Sequence, residues 1–272
     1  MSGAIDRVVV TIDASSESHP AIDTAVRLAA RAKAPIHGIF VEDEDLLHLA
    51  DLPFARQITH GGESRPLTRE AVELHLRAAA ERACRELFAA AEAFGVKGSF
   101  EILRAPSANA LGAIGERDFA VAGALTRPVA GQFRLECRWW SSINTAQGPV
   151  LLARHAWAAA GSVVTLLRDK SPAAERLLMA AVQVAEAGGA PLNIICPPAL
   201  MRSGSFEQWL TDRAGPARVR VHAAPEEPSA LHELVSGLDC RLLAIDAATA
   251  EDRGGLLREL AARLACDLLI VR

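Results

Sequence analysis

The chain reads as an α/β protein built from two tandem, doubly wound, parallel five-stranded sheets, and three observations carry that reading. Short β-branched and apolar runs alternate with segments of helical period, the pattern of βαβ units and hence of parallel strands. A segment near the start, Asp13 through Pro35, recurs without a gap as Asp169 through Pro191, with Asp13 on Asp169, Ser15 on Ser171, Ala25-Val26 on Ala181-Val182 and Ala29 on Ala185. The two halves also end alike, Val150-Leu-Leu-Ala-Arg154 against Leu268-Leu-Ile-Val-Arg272. A long-period repeat with matching ends points to two copies of one domain, expected over residues 1–156 and, in degenerate form, 157–272.

The elements follow in order. Arg7–Ile12 is a β-branched run of strand length. Asp13 to Pro20 supplies helix-capping residue types, and Ile22, Ala25, Val26, Leu28 and Ala29 recur at helical spacing until Lys33. Pro35 ends that helix, Ile36–Val41 is the second strand, and an acidic stretch from Glu42 to Pro66 reads as irregular. Thr68, Glu70 and Glu73 open a long amphipathic helix that stops at Gly95. Gly98–Leu103, Phe119–Ala124 and Pro149–Arg154 are the remaining strands of the first half, with a short helix over Ala108–Glu116. The second half predicts strands at Ser162–Leu167, Leu192–Cys196, Arg218–His222, Leu242–Asp246 and Asp267–Val271. Its helices fall at Ala173–Ala187, Ser205–Asp212, Ser229–Leu238 and Asp252–Ala265. Runs such as Val8-Val-Val are apolar on both faces, as strands covered by helices on each side must be. The joint, His155 to Gly161, is short and not Gly/Ser-rich, so the halves are expected to pack together through their terminal strands or adjacent helices.

Composition narrows the function. The 272 residues carry a net charge of -4, which argues against a nucleic-acid binder. No window approaches the apolar length of a membrane span, and the N-terminal residues lack a signal-peptide core, so a cytoplasmic protein is expected. Five cysteines without a Cys-x-x-Cys pair fit buried thiols in a reducing compartment, with no metal site expected. No Gly-x-Ser-x-Gly, P-loop or Gly-x-Gly-x-x-Gly pattern occurs, so no catalytic residue is assigned and turnover is not expected.

Val-Thr-Ile-Asp13-Ala-Ser15 followed by an Ala-rich helix, Arg168-Asp-Lys-Ser-Pro-Ala-Ala-Glu-Arg176, and the closing Pro-Val-Leu-Leu-Ala-Arg154 resemble the universal stress protein family, specifically its tandem two-domain members. The resemblance spans nearly the whole chain and implies an adenine nucleotide α-hydrolase-like sandwich. It implies further that Asp13 lies against an adenine or ribose edge, and that ATP phosphates sit on a Gly-x-x-Gly-x9-Gly-Ser/Thr loop after strand four. Glycines let backbone N–H groups approach phosphate there. That motif is degenerate in both halves. The first keeps Gly123 but has Thr126, Arg127 and Pro128 next, with Ser141-Ser142 as the nearest stand-in for Gly-Ser. The second has Asp246 where Gly123 would fall, and Gly254-Gly255 follow it too closely.

The candidate ligand-binding residues are therefore Asp13, Ser15, the backbone at Val41, Gly123, Arg127 and Ser141, with ATP or AMP as the ligand to test. Each has a structural alternative: Asp13, Asp169, Ser15 and Ser171 as helix caps, and Arg127, Arg134 and Arg138 with Trp139-Trp140 as interface or core. Glu42-Asp-Glu-Asp45 reads as a cation site or a solvated loop, and Asp45–Phe54 as an amphipathic lid or a dimer contact. Two functions remain: a non-catalytic stress-response or regulatory protein binding an adenine nucleotide or small anion in its first domain, and a protein–protein interaction module without nucleotide. A homodimer and an unidentified protein partner fit either; a weak ATPase is the third option.

Overall fold

A computed structural model describes residues 5–14, 18–58, 62–106, 111–112, 114–123, 146–153, 161–215, 217–225, 227–247 and 266–272. The first half contains β1 (Arg7–Ile12), α1 (Ser18–Ala32), β2 (Ile36–Asp43), α2 (Glu44–Ala50), β3 (Arg56–Ile58), β4 (Ser64–Pro66), α3 (Arg69–Ala93), β5 (Gly98–Ala105), β6 (Asp118–Gly123) and β7 (Val150–Ala153). The second contains β8 (Ser162–Leu166), α4 (Pro172–Gly188), β9 (Leu192–Cys196), α5 (Pro198–Met201), α6 (Gly204–Ala214), β10 (Val219–Ala223), α7 (Pro228–Gly237), β11 (Cys240–Asp246) and β12 (Asp267–Val271). The helix expected at Asp252–Ala265 lies outside the described residues.

The two five-stranded sheets are one. Ten strands run in the order β10-β9-β8-β11-β12-β7-β6-β1-β2-β5, with only the β12–β7 pair antiparallel. In that pair Leu269 faces Leu151. These two residues are equivalent by register, because Gly123 pairs Ala153 in one half as Asp246 pairs Val271 in the other. A pseudo-twofold axis therefore passes between Leu151 and Leu269, and the halves join through their terminal strands.

The apolar-on-both-faces pattern has its reason in the packing. Val8, Val10 and Ile12 face α1 and α3 and join a cluster that continues across the seam to Leu177, Leu178 and Ala181 of α4. Val9, between them, belongs to the opposite face with Ile39, Ala120, Leu243 and Ile270. Thr68 caps α3 by accepting from the Ala71 N–H at 3.3 Å, and Gly95, at φ 66°, closes it.

One expectation is corrected. The described residues of Glu42–Pro66 form the end of β2, helix α2 and the antiparallel pair β3–β4, because Leu47 and Ala50 have an apolar site to fill against Val72 and Leu76 of α3. Most of the first turn of the helix expected over 108–116 lies outside the described residues; beyond it the Ile114 N–H bonds the Leu111 carbonyl at 3.2 Å.

At the amino ends of the strands, Arg7 grips Asp118 through two bonds, Nε to Oδ1 at 3.0 Å and Nη2 to Oδ2 at 2.9 Å. The Gly115 N–H adds a third at 3.0 Å. Burial alone would push the Asp118 carboxyl up, but the Arg7 bonds, the Gly115 N–H and the Arg7 and His37 charges together hold it below the usual carboxylate range. The stabilisation is therefore present above the ordinary aspartate pKa of about 3.9 and is lost as pH falls through the depressed folded value. A Tm–pH series should show a constant gap between wild type and Asp118→Asn above about pH 5 that narrows below about pH 4. Nearby, a Cβ on Gly148 would strike the Asp118 carbonyl and lie 2.7 Å from the Gly115 carbonyl, both unyielding backbone. Gly148→Ala should cost about 1–3 kcal/mol in urea unfolding.

Candidate functional site

In an open parallel sheet, ligands bind beyond the carboxyl ends of strands where the winding reverses. In the first half that point lies between β1 and β6, the strands from which the chain winds outward in opposite directions. Thr11 pairs Ala122, so Ile12 lies beside Gly123 and Asp13 stands just past both strand ends. On the other side Ile12 pairs Phe40, which sets Val41 at the level of Asp13. Asp13, Val41 and Gly123, named from the sequence, thus meet at one mouth. Ser15, Arg127 and Ser141 lie outside the described residues, as do Arg134, Arg138 and Trp139-Trp140.

The ladder fixes the polarity of this mouth. The Ile36 N–H bonds the Lys97 carbonyl beside β5, so the alternate residues of β2, Val41 included, direct their backbone groups toward β1. Likewise the Ala120 N–H bonds Pro149 beside β7, so Gly123 is directed toward β1. Continuing the parallel register uses the N–H groups of Val41 and Gly123 on the Ile12 and Thr11 carbonyls. The carbonyl of each points to the level just past the end of β1, where Asp13 follows with its Oδ2 buried.

Around the mouth the acidic run is used structurally. Glu42 takes two bonds from Arg104, at 3.0 and 2.8 Å. Asp43, buried, caps α2 by accepting from the Asp45 N–H at 3.0 Å, and Glu44 and Asp45 occupy the helix's first turn, where its dipole favours them. This corrects the solvated-loop reading, because each carboxylate has a different task. Among the described residues no three His, Cys, Asp or Glu side chains gather as a metal site. α2 rises from the edge of the mouth and packs on Ala14, the neighbour of Asp13, as a lid would.

The second half builds a different mouth. Thr165 pairs Ala244, so Leu167 stands beside Asp246, as Ile12 stands beside Gly123. The equivalence of Gly123 and Asp246 expected from the sequence therefore holds. That of Asp13 and Asp169 does not. Val8 donates to Pro35 as Val163 donates to Pro191, so the strand position of Asp13 is filled by Arg168. The ungapped alignment hides one extra residue between strand and helix. Asp169 instead accepts from the Ser171 N–H at 2.8 Å in a tight turn; this bond, with the Ser171 hydroxyl, holds its carboxyl below the usual range. Ser171 is the cap of α4, accepting from the Ala174 N–H at 3.2 Å. Pro197 replaces Val41, and its carbonyl is consumed by the Leu200 and Met201 N–H groups of α5. Arg168 and Pro197 were missed as site positions; only strand register reveals them.

The fold is a doubly wound α/β sandwich that brings Asp13, Val41 and Gly123 level with one another at the carboxyl edge of its first half. Residues 4–106 match the model of the universal stress protein family and carry its pattern, and the whole chain shares that family's fold. Among solved structures, a universal stress protein from Archaeoglobus fulgidus DSM 4304 superposes at TM-score 0.64 with 15% identity, over 98% of this chain and 96% of that one. A functionally unknown protein from Pseudomonas aeruginosa PAO1 superposes at TM-score 0.60 with 15% identity, over 99% and 93%. No curated protein sequence matches the chain.

If Ser171 serves only as a cap, Ser171→Ala should cost about 1 kcal/mol in thermal or urea unfolding. Ligand binding by the folded variant should equal that of the wild type.

Proposed function

We propose that this protein is a non-catalytic regulatory binding protein of the cytoplasm, acting in stress response, with an adenine nucleoside or nucleotide site in its first half. The observation that carries the reading is the meeting of Asp13, Val41 and Gly123 at the point of the first half where the winding of the sheet reverses. A ribose diol or an adenine amine would supply hydrogen-bond donors to the Asp13 carboxylate. The second half, with Arg168, Asp246 and an occupied Pro197 carbonyl, plays a structural part. Arg168 puts a cation at the strand position that an anion, Asp13, takes in the first half, so the two edges differ in charge.

Isothermal titration with AMP, ADP and ATP, with and without Mg2+, tests this. One site per chain is expected. Asp13→Asn should weaken it by about tenfold to a hundredfold, the worth of a hydrogen bond to a charged group. Asp246→Gly should leave it unchanged. Absence of binding by the wild type would overturn the reading and leave the interaction module. That second reading has its own support: Leu49, Leu52, Phe54 and Ile58, from α2 to β3, expose 47%, 40%, 75% and 66% of their surface.

A further inference from the structure

Cys240 and Cys266 belong to adjacent parallel strands, at the amino ends of β11 and just before β12, far in the fold from the mouth. The strand pattern alone would keep them apart. In a regular β11, Cys240 would share the face of Leu242 and Ala244, which pack toward α4. A bulge intervenes: Cys240 pairs Ser162 and Leu242 pairs the very next residue, Val163. The extra residue reverses the parity, so Cys240 joins the opposite face with Leu243 and Ile245. Cys266 lies on that same face with Leu268 and Ile270, and the two thiols are close enough to interact.

We propose that Cys240 and Cys266 form a dithiol that closes reversibly to an intramolecular disulfide on exposure to a hydroperoxide. Leu242 pairs Asp267, so Cys266 and, across the bulge residue Arg241, Cys240 both lie just before that pair; neighbouring strands stand about 5 Å apart, inside the range of roughly 4.4–6.8 Å that a disulfide spans between Cα atoms. Both sulfurs are thiols at rest. Cys266 here stands for whichever of the two sulfurs reacts first. After losing its proton to solvent, it attacks the peroxide, forming an S–O bond as the O–O bond breaks and hydroxide leaves. The hydroxide takes the Cys240 proton and becomes water. The Cys240 sulfur then displaces hydroxide from the Cys266 sulfenic acid, the S–S bond forms, and a solvent proton completes a second water. Two thiols and one peroxide give one disulfide and two waters; the sulfurs are oxidised and the peroxide oxygens reduced.

The surroundings set a threshold rather than a hair trigger. Cys266 is 2% exposed. Interaction with the Cys266 thiol, burial, and the charges of Cys266, Asp239 and Asp267 push the Cys240 thiol far above the ordinary range. Deeply protonated, buried thiols react slowly, so closure answers sustained oxidant. The bond would tie β11 to β12 across the segment that includes Asp246, adding a constraint to the strand that forms the seam with β7.

The test is graded hydrogen peroxide on the fully reduced native protein, an alkylating quench after unfolding, and non-reducing peptide mapping by mass spectrometry. The expected product is a cross-linked pair of peptides containing Cys240 and Cys266, two hydrogens lighter than their sum and restored by a dithiol reductant. Thermal denaturation should shift up by about 5 °C or more on oxidation and return on reduction, as loop closure requires. Cys240→Ser and Cys266→Ala should each abolish both changes, and the wild-type map stands even if a variant fails to fold. The proposal is overturned if both cysteines remain alkylatable at doses that oxidise Cys84, if either pairs with another cysteine, or if they advance to sulfinic acid without cross-linking.

Discussion

The fold rests on one antiparallel strand pair. Each half, cut at its fifth strand, would present a fully buried strand, β7 or β12, to water along its whole edge, with an unpaired row of backbone donors and acceptors. Pairing Val150, Leu151 and Leu152 with Ile270, Leu269 and Leu268 removes both edges at once and merges two sheets into one. The helices follow: α1 and α4 meet over the seam in a shared core, and Arg31 reaches Glu186 at 3.1 Å. The exposed ion pair adds little to stability; the buried leucines hold the halves together.

A consequence of the pseudo-twofold arrangement is that the two mouths, although equivalent by topology, need not be equivalent in chemistry. Duplication supplies two identical scaffolds, and each is then free to change. One residue added after β8 turns Asp13's place into Arg168's and spends Asp169 on a turn. A proline after β9 starts a helix whose Leu200 and Met201 N–H groups take its carbonyl, where Val41 continues as strand in the first half. The edges also differ. β5 is eight residues long with much of it exposed, whereas β10 is short and carries Arg220 and His222, which discourage pairing with another chain.

The regular elements were largely legible because their cause is local. Strand runs apolar on both faces, the caps Thr68 and Ser171, and the helix-ending Gly95 and Gly189 are each written in a few adjacent residues. Errors fell where the cause is distant. Glu42–Pro66 looks irregular by itself; it folds because α3, outside that stretch, provides Val72 and Leu76 for Leu47 and Ala50 to bury. The acidic run looks like a single feature, yet Arg104, on the neighbouring strand, claims Glu42, while Asp43 turns to cap α2. Cys240 and Cys266 show no spacing motif at all, and a bulge set against β8 brings them together.

By itself the sequence determined most of the strands and helices, the internal repeat and the candidates Asp13, Val41 and Gly123, since these depend on short-range pattern and on comparing the chain with itself. Tertiary structure decided which residues correspond between the halves, because hydrogen-bond register counts positions on strands whereas alignment counts them along the chain. It also decided which residues meet at the carboxyl edge, because the strands that bring Asp13, Val41 and Gly123 level with one another are remote in sequence.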